Sequence, residues 1–258
     1  LHSKAPVFLF PNDHVMITSK DNPQIKELKK LQEKRFRARR GQFAAEGEDL
    51  VDAALAAGWT PERIFHTPDA TGELRDHPAA WEVDYDVLAG ASALGSGARA
   101  IAVFELPAVA EPAFGELTLF VEGIADPGNV GTLIRSAAAF TDVPVLLGPG
   151  CADPWSPKAL RAGMGTTFGA PPAAVDELPE TAATVVVLDG RGDIDLRDVV
   201  AEGPVVICAG AEREGLSAQT LGRADLVARI GMRPAGPESL NVAMAATIAL
   251  HQLAGIEH

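Results

Sequence analysis

The chain is expected to be an α/β protein, with a parallel sheet covered by helices on both faces and a smaller α/β module ahead of it. Three observations predict this. Apolar runs recur at residues 117–121, 143–147, 184–188, 205–209 and 226–230, with helical or loop segments between them, and such alternation suits a parallel sheet buried on both sides. The composition is 47% hydrophobic but only 5% aromatic, and its abundant Ala, Val, Gly and Pro fit α/β units. Residues 107–115, with Pro107, Pro112 and small side chains, read as a linker between two cores. The domain boundaries are therefore set at 16–106, 107–115 for the linker and 116–258.

In chain order, Met16 is taken as the natural start, with residues 1–15 as a leader or tag. Residues 20–40 hold nine cations against Asp21, Glu27 and Glu33, so a basic arm sits on an acidic body. Ile25, Leu28, Leu31 and Phe36 give this arm an apolar stripe, which reads as one surface helix with its cations outward. Those cations are either a solvated face or a phosphate-contact surface made by Lys29, Lys30, Arg35, Arg37, Arg39 and Arg40. A helix is expected over residues 46–57, ending at Gly58, followed by strands at 63–67, 81–85 and 100–105. After the linker, the helix beginning near Val130 carries a single charge, Arg135, among Leu, Ile, Ala, Val and Phe. It is expected to be largely buried, and the guanidinium then needs a carboxylate such as Glu122 or Glu212, or a phosphate. The helix after Ser239 is apolar on nearly every face and is expected to be buried all round, in a core or a subunit interface.

Several function classes are excluded or disfavoured. A formal net charge of −13 argues against a protein that coats nucleic acid indiscriminately. No apolar run approaches the roughly eighteen residues of a membrane span, and the first residues lack the charged-then-apolar order of a signal peptide. Cys151 and Cys208 form no Cys-x-x-Cys pair, which favours a reducing cytoplasm, and Cys208 reads as a small core residue. The six histidines show no ligand spacing, so no metal is expected.

Ligands of open α/β sheets bind beyond the carboxyl ends of the strands, and three loops there stand out. The first, residues 122–131, holds Asp126, Pro127, Gly128, Asn129 and Gly131, but it has neither a Gly-Lys-Ser/Thr nor a Gly-x-Gly-x-x-Gly pattern. Triphosphate and dinucleotide readings are therefore weak. The second, residues 209–217, offers Gly210 for close approach of a ligand to the backbone, and Glu212 at the strand tip. In the third, residues 229–241, the prolines and glycines restrict the loop to one shape before an abrupt helix start, with Ser239 as N-cap and Asn241 idle as the bland alternative.

Together these loops resemble the three ordered motifs of the SpoU-type branch of the SPOUT superfamily, the S-adenosylmethionine-dependent RNA 2′-O-ribose methyltransferases. The carriers are Asp126 to Gly131 with Arg135, Gly210 to Glu212 with Gly215 to Ser217, and Ile230 to Met232 with Glu238 to Val242. The preceding segment resembles the family's ribosomal-protein-like substrate-binding domain. The resemblance implies a trefoil-knotted parallel-sheet catalytic domain, a homodimer, and an S-adenosylmethionine site at Leu188, Gly190, Gly210, Ile230, Met232 and Leu240. It also implies that Arg135 stands nearest the ribose hydroxyl and that Asn129 fixes ribose or phosphate. Glu212 would orient the loop or the guanidinium, and Ser239 and Asn241 would complete the hydrogen-bond set. Relatives' mechanisms often name the residue matching Arg135 as general base, yet an arginine stays protonated, so electrostatic stabilisation of the alkoxide fits it better. Members often have proline at Gly231, serine at Ala243 and asparagine at Ala211. Gly231 is expected to loosen the cofactor loop, and Ala243 removes a hydroxyl. A separate substrate domain favours 23S ribosomal RNA over tRNA. A tRNA methyltransferase, a base-methylating relative and a non-catalytic RNA-binding relative are the alternatives, and a Rossmann oxidoreductase would need a fingerprint that is missing.

Overall fold

The computed structural model describes residues 16–93, 95, 97–211, 214–233, 235–236 and 239–254. The chain divides into two compact units between Leu106 and Pro107. In the first, α1 (Pro23–Lys30) and α2 (Lys34–Arg40) precede β1 (Gln42–Glu46), α3 (Glu48–Ala56), β2 (Arg63–His66), α4 (Gly72–Arg75), β3 (Ala80–Glu82), α5 (Tyr85–Ala89) and β4 (Ala100–Glu105). The sheet order is β1-β4-β2-β3, with β4 antiparallel to both neighbours and β2 parallel to β3.

The basic arm is two helices rather than the single one expected. Asn22 caps α1 through its side chain, and Pro23 occupies the first turn, where a missing N–H costs nothing. Leu31 is the C-cap of α1, and the Arg37 guanidinium donates to the carbonyls of Leu31 and Gln32, each at 2.8 Å, just past the helix end. Those carbonyls would otherwise lack partners at a helix end. Ile25, Leu28, Leu31 and Phe36 pack into the core with Phe65, Ile101 and Val103. Gly41, at φ 64°, ends α2 in a left-handed turn that a side chain would strain.

β1 lies where no strand was expected, and it takes Glu46 from the start of the expected helix. Phe43 to Glu46 are all buried, so the period-2 alternation that betrays a half-exposed strand is missing. The buried Glu46 carboxylate accepts from Ser92 Oγ at 2.7 Å and Ala93 N at 2.8 Å.

The second unit contains β5 (Leu117–Glu122), α6 (Pro127–Ala138), β6 (Leu146–Leu147), α7 (Pro157–Gly163), α8 (Thr166–Gly169), β7 (Ala173–Ala174), β8 (Thr184–Leu188), β9 (Ile194–Asp195), β10 (Val205–Gly210), α9 (Ala218–Leu221), β11 (Leu226–Arg229) and α10 (Val242–Leu253). Its seven strands are all parallel, in the order β7-β6-β5-β10-β8-β11-β9. The run at 143–147 pairs only over its last two residues, and β7 and β9 are two-residue edge strands. Alternate residues serve opposite layers. Leu119, Val121, Val186 and Ile207 pack with Val130, Leu133 and Ile134 of α6 and Ala246 and Leu250 of α10. Phe120, Val185, Val187, Val206 and Cys208 pack against Leu178 and Leu216. Both faces are therefore covered, which is why these strands read as unbroken apolar runs.

Two helices are less buried than expected. α6 buries Val130, Gly131, Leu133, Ile134 and Ala137, whereas Arg135 is exposed. α10 buries Val242, Ala243, Ala246, Ala249 and Leu250, but Met244 and Ile248 are 62% and 43% exposed. In α10 the alanine-rich composition hides which face meets the core; in α6 the exposed face is made of Thr132, Arg135 and Ala138.

Candidate functional site

The carboxyl ends of β8, β10 and β11 open into a cavity of about 650 Å3, within the range that buries a small organic ligand. Leu188, Gly190, Gly210, Ile230, Met232 and Leu240 all line it, and so does Ser239. Asp189, Arg191 and Glu214 add charge to its wall; they were not among the expected site residues, although Asp-Gly-Arg directly after an apolar strand is a visible signal. Gly210 is explained by its own loop rather than by ligand approach: a Cβ there would collide with the backbone of Gly215 and Leu216. Ala211 and Gly215 form an antiparallel bridge that folds this loop back on itself. Glu122 secures the loop's far end, its Oε2 accepting from Thr220 Oγ1 at 2.9 Å and Ser217 Oγ at 3.2 Å. Glu122 is thus engaged there and is not the Arg135 partner considered above. Gly231 sits beside the Asp195 carboxylate, where an added Cβ would lie 2.6 Å from Oδ2, so packing against the Asp195–Arg197 pair favours glycine at that point.

A polar edge forms where the amino ends of α6 and α10 meet. Asp126 caps α6, accepting from Gly128 N at 2.6 Å and Asn129 N at 3.2 Å, and Lys158 Nζ reaches its other oxygen at 2.7 Å. The Lys158 ammonium holds the Asp126 carboxyl below its ordinary range. Asn241, not Ser239, caps α10, its Oδ1 accepting from Ala243 N at 3.0 Å and Met244 N at 3.4 Å. That orientation turns Asn241 Nδ2 toward Asn129 Oδ1, at 3.1 Å. The Asn129 amide nitrogen consequently remains a donor without a partner among the described residues. Farther along, Thr247 and Ser136 hydroxyls bond at 2.7 Å and tie the two helices together.

Arg135 stands apart from this pair. Six residues along a helix place it about 9 Å from Asn129 in the axial direction, and it is not part of the cavity wall. It is exposed rather than buried and has no ion-pair partner among the described residues, so the expected buried bridge to Glu122 is not formed. Glu212 lies outside the described residues. The structure therefore brings together Asn129, Asn241, Ser239 and the six cavity residues, and leaves Arg135 on the open face of α6.

In the first unit, Lys30, Arg35, Arg39 and Arg40 are exposed, and Lys29 is half-buried. Lys30 and Arg39 stand over the Phe36 ring, at 5.7 and 4.9 Å from its centroid. Arg40 pairs with Glu27. Arg37 is 3% exposed, with its donors used on main-chain carbonyls; it is a structural cap and is withdrawn from the RNA-contact set.

The SpoU rRNA Methylase family model matches residues 116–251. The chain belongs to the SpoU family. An MRM3-like substrate binding domain matches residues 22–102. The chain is 29% identical to the Bacillus subtilis 23S rRNA (guanosine(2553)-2′-O)-methyltransferase RlmP, covering 93% of this chain and 99% of that one. It is 33% identical to an uncharacterized tRNA/rRNA methyltransferase of Mycobacterium tuberculosis, over 81% and 79% of the two chains. Among solved SpoU-like structures, an RNA 2′-O ribose methyltransferase superposes with a TM-score of 0.81 at 29% identity, over 93% and 98% of the chains. An AdoMet-bound rRNA methyltransferase from Sinorhizobium meliloti gives 0.79 at 27% identity, over 93% and 97%.

Proposed function

We propose that this SpoU protein transfers a methyl group from S-adenosylmethionine to a ribose 2′-hydroxyl of RNA, with 23S ribosomal RNA as substrate. The observation that carries the reading is that six residues from three separated loops line one cavity, directly beside the Asn129–Asn241 pair. Leu188, Ile230 and Leu240 supply apolar walls for adenine, and the loop backbone around Gly210 and Gly190 supplies hydrogen-bonding groups. The cofactor contributes an electrophilic methyl on a sulfonium, so the protein's task is alignment and charge stabilisation. Asn129 donates from its free amide nitrogen to ribose or phosphate. The amino ends of two twelve-residue helices converge beside it, and their dipoles favour a substrate phosphate there. Arg135, a permanent cation on an open face, stabilises the developing alkoxide and a neighbouring phosphate. Glu212 orients this set.

The same reading includes a homodimer formed over α6 and α10, which would cover the exposed Met244 and Ile248. It includes a trefoil knot, a reading supported by the packing of α10 on α6, β10 and β5, beyond β8 from β11 in the strand order. A cytoplasmic setting accords with two unpaired cysteines. The deciding experiment incubates the protein with labelled cofactor and unmodified 23S ribosomal RNA or tRNA, and maps the methyl group by mass spectrometry. A ribose methyl in 23S RNA is expected; transfer only to tRNA moves the substrate, and transfer to neither removes the activity. Sedimentation of wild type and Met244→Glu tests the dimer, which the substitution should dissociate. An experimental electron-density trace through residues 188–242 tests the knot.

A further inference from the structure

We propose that Arg191 recognises the amino-acid carboxylate of the cofactor at the mouth of the cavity. The inference rests on reading that cavity as an S-adenosylmethionine site. β8 ends at Leu188, and the chain turns at once through residues 189–192. The turn is held on every side. Asp189 N donates to Ala228 O at 3.0 Å and Gly192 N to Asp189 O at 2.9 Å, while Arg229 Nη1 donates to Gly192 O at 2.6 Å. Gly192 lies flat on β11, where a Cβ would approach Val227 O and Ala228 C to 2.7 Å. A turn so fixed seats Arg191 at one point on the cavity wall.

Asp189 then aims the side chain. Arg191 Nε lies 3.2 Å from Oδ1 and Nη2 3.2 Å from Oδ2, while the Arg191 backbone N–H donates to Oδ1 at 2.8 Å. The arginine side chain is 92% exposed, so this pair adds little stability; its effect is to remove rotamer freedom from a long side chain. The pairing uses one edge of the guanidinium and leaves Nη1 and the second Nη2 hydrogen pointing away. A fork held by one edge is preorganised for a second planar anion, and a carboxylate matches its geometry. The wall charges agree. Asp189, Arg191 and Glu214 are the charged residues among the described cavity lining, giving one net negative charge against a cofactor that carries two cationic groups and one carboxylate. With Asp189 matched by Arg191, Glu214 faces the cationic groups and the open edge of Arg191 faces the carboxylate.

The neighbouring Asp195–Arg197 pair repeats the fork, with Nε at 2.9 Å from Oδ1 and Nη2 at 3.0 Å from Oδ2, but does not line the cavity. It supplies the control. Calorimetric titrations of the full chain, Arg191→Gln and Arg197→Gln with S-adenosylmethionine and with its decarboxylated analogue test the assignment. Wild type and Arg197→Gln should prefer the carboxylate-bearing cofactor by about tenfold or more, as one charge-assisted contact implies. Arg191→Gln should bind the two alike, with the analogue's affinity unchanged. The assignment is overturned if the preference survives in Arg191→Gln, if that variant weakens both ligands equally, or if it keeps the preference and instead loses affinity for RNA. Failure of wild type to bind S-adenosylmethionine at all overturns the cofactor reading and this inference with it, and is distinct from binding without preference.

Discussion

Arg135 and Asn241 show how much of a residue's role depends on what it does not touch. Arg135 is exposed, with no ion-pair partner among the described residues, so its removal should leave folding within about 0.5 kcal/mol of wild type. Arg135→Ala should nevertheless lower methyl transfer by about a hundredfold or more, as loss of a charge-stabilising donor does, with cofactor affinity nearly intact by calorimetry. Loss of cofactor binding instead would return it to a structural role. Asn241 has two tasks that substitution can separate. Asn241→Ala removes the α10 cap and should cost about 1 kcal/mol in a denaturant titration. Asn241→Ser keeps a capping oxygen but loses the amide donor to Asn129; it should retain stability and still lose about a hundredfold in turnover through misplacement of Asn129. Cys208 is inert by burial, its thiol pushed up to about 12 from an ordinary value of 9.0. The stability linked to the protonated thiol is fully present below pH 9.0 and is lost as pH rises toward about 12. Alkylation followed by mass spectrometry should accordingly modify Cys151 well before Cys208 at pH 8, and a native-state rate for Cys208 matching that of Cys151 would contradict the burial.

At the scale of elements, the α6–α7 crossing carries the polar edge. Gly131 faces the Ala159 carbonyl so closely that a Cβ would overlap it, and Ala162 Cβ would lie 2.9 Å away. Gly131→Ala must push α7 off α6, at a cost of about 1–3 kcal/mol. Because no described cavity residue lies on α6, turnover should fall further than cofactor affinity; urea midpoints and calorimetry on the same variant separate the two. An unchanged midpoint would mean the crossing relaxes freely. The same elements explain what could be read beforehand. The strands at 117–122, 184–188 and 205–210 were legible because a sheet buried on both faces leaves unbroken apolar runs. Asn129, Ser239 and the six cavity residues were reached through the resemblance of three loops to the SpoU motifs, since four of those cavity residues are ordinary apolar side chains that no local pattern sets apart. Arg37 was not legible, since a guanidinium that caps a helix in three dimensions has the same sequence appearance as one facing solvent. The open face of α10 was missed for a related reason: its many alanines carry too little amphipathic contrast to tell core from surface. β1 was hidden by the buried Glu46, whose partners are forty-six and forty-seven residues away.

Across the whole molecule, charge is divided between parts with different tasks. A formal net charge of −13 repels RNA at long range, so productive encounter depends on where the cations are gathered. Of the six cations expected to contact RNA, Lys29, Lys30, Arg35 and Arg39 have side chains neither buried like Arg37 nor paired with a carboxylate like Arg40. Phe36 beneath Lys30 and Arg39 adds a cation–π contact that steadies both heads. If these four contact phosphates, each contributes about 0.7 to the slope of log affinity against log salt on single-stranded RNA. Replacing all four by glutamine should reduce the slope by roughly three and weaken binding most at low salt, while affinity for S-adenosylmethionine stays at the wild-type value. Arg37→Gln should behave differently, lowering thermal stability by stripping the Leu31 and Gln32 carbonyls of their donor without a matching change in slope for the folded fraction. Filter binding of a 23S fragment across a salt series reads both effects. A fourfold variant whose slope equals that of wild type would make the arm a solvated face, and RNA recognition would then have to come from the edge around Arg135 and the paired helix amino ends.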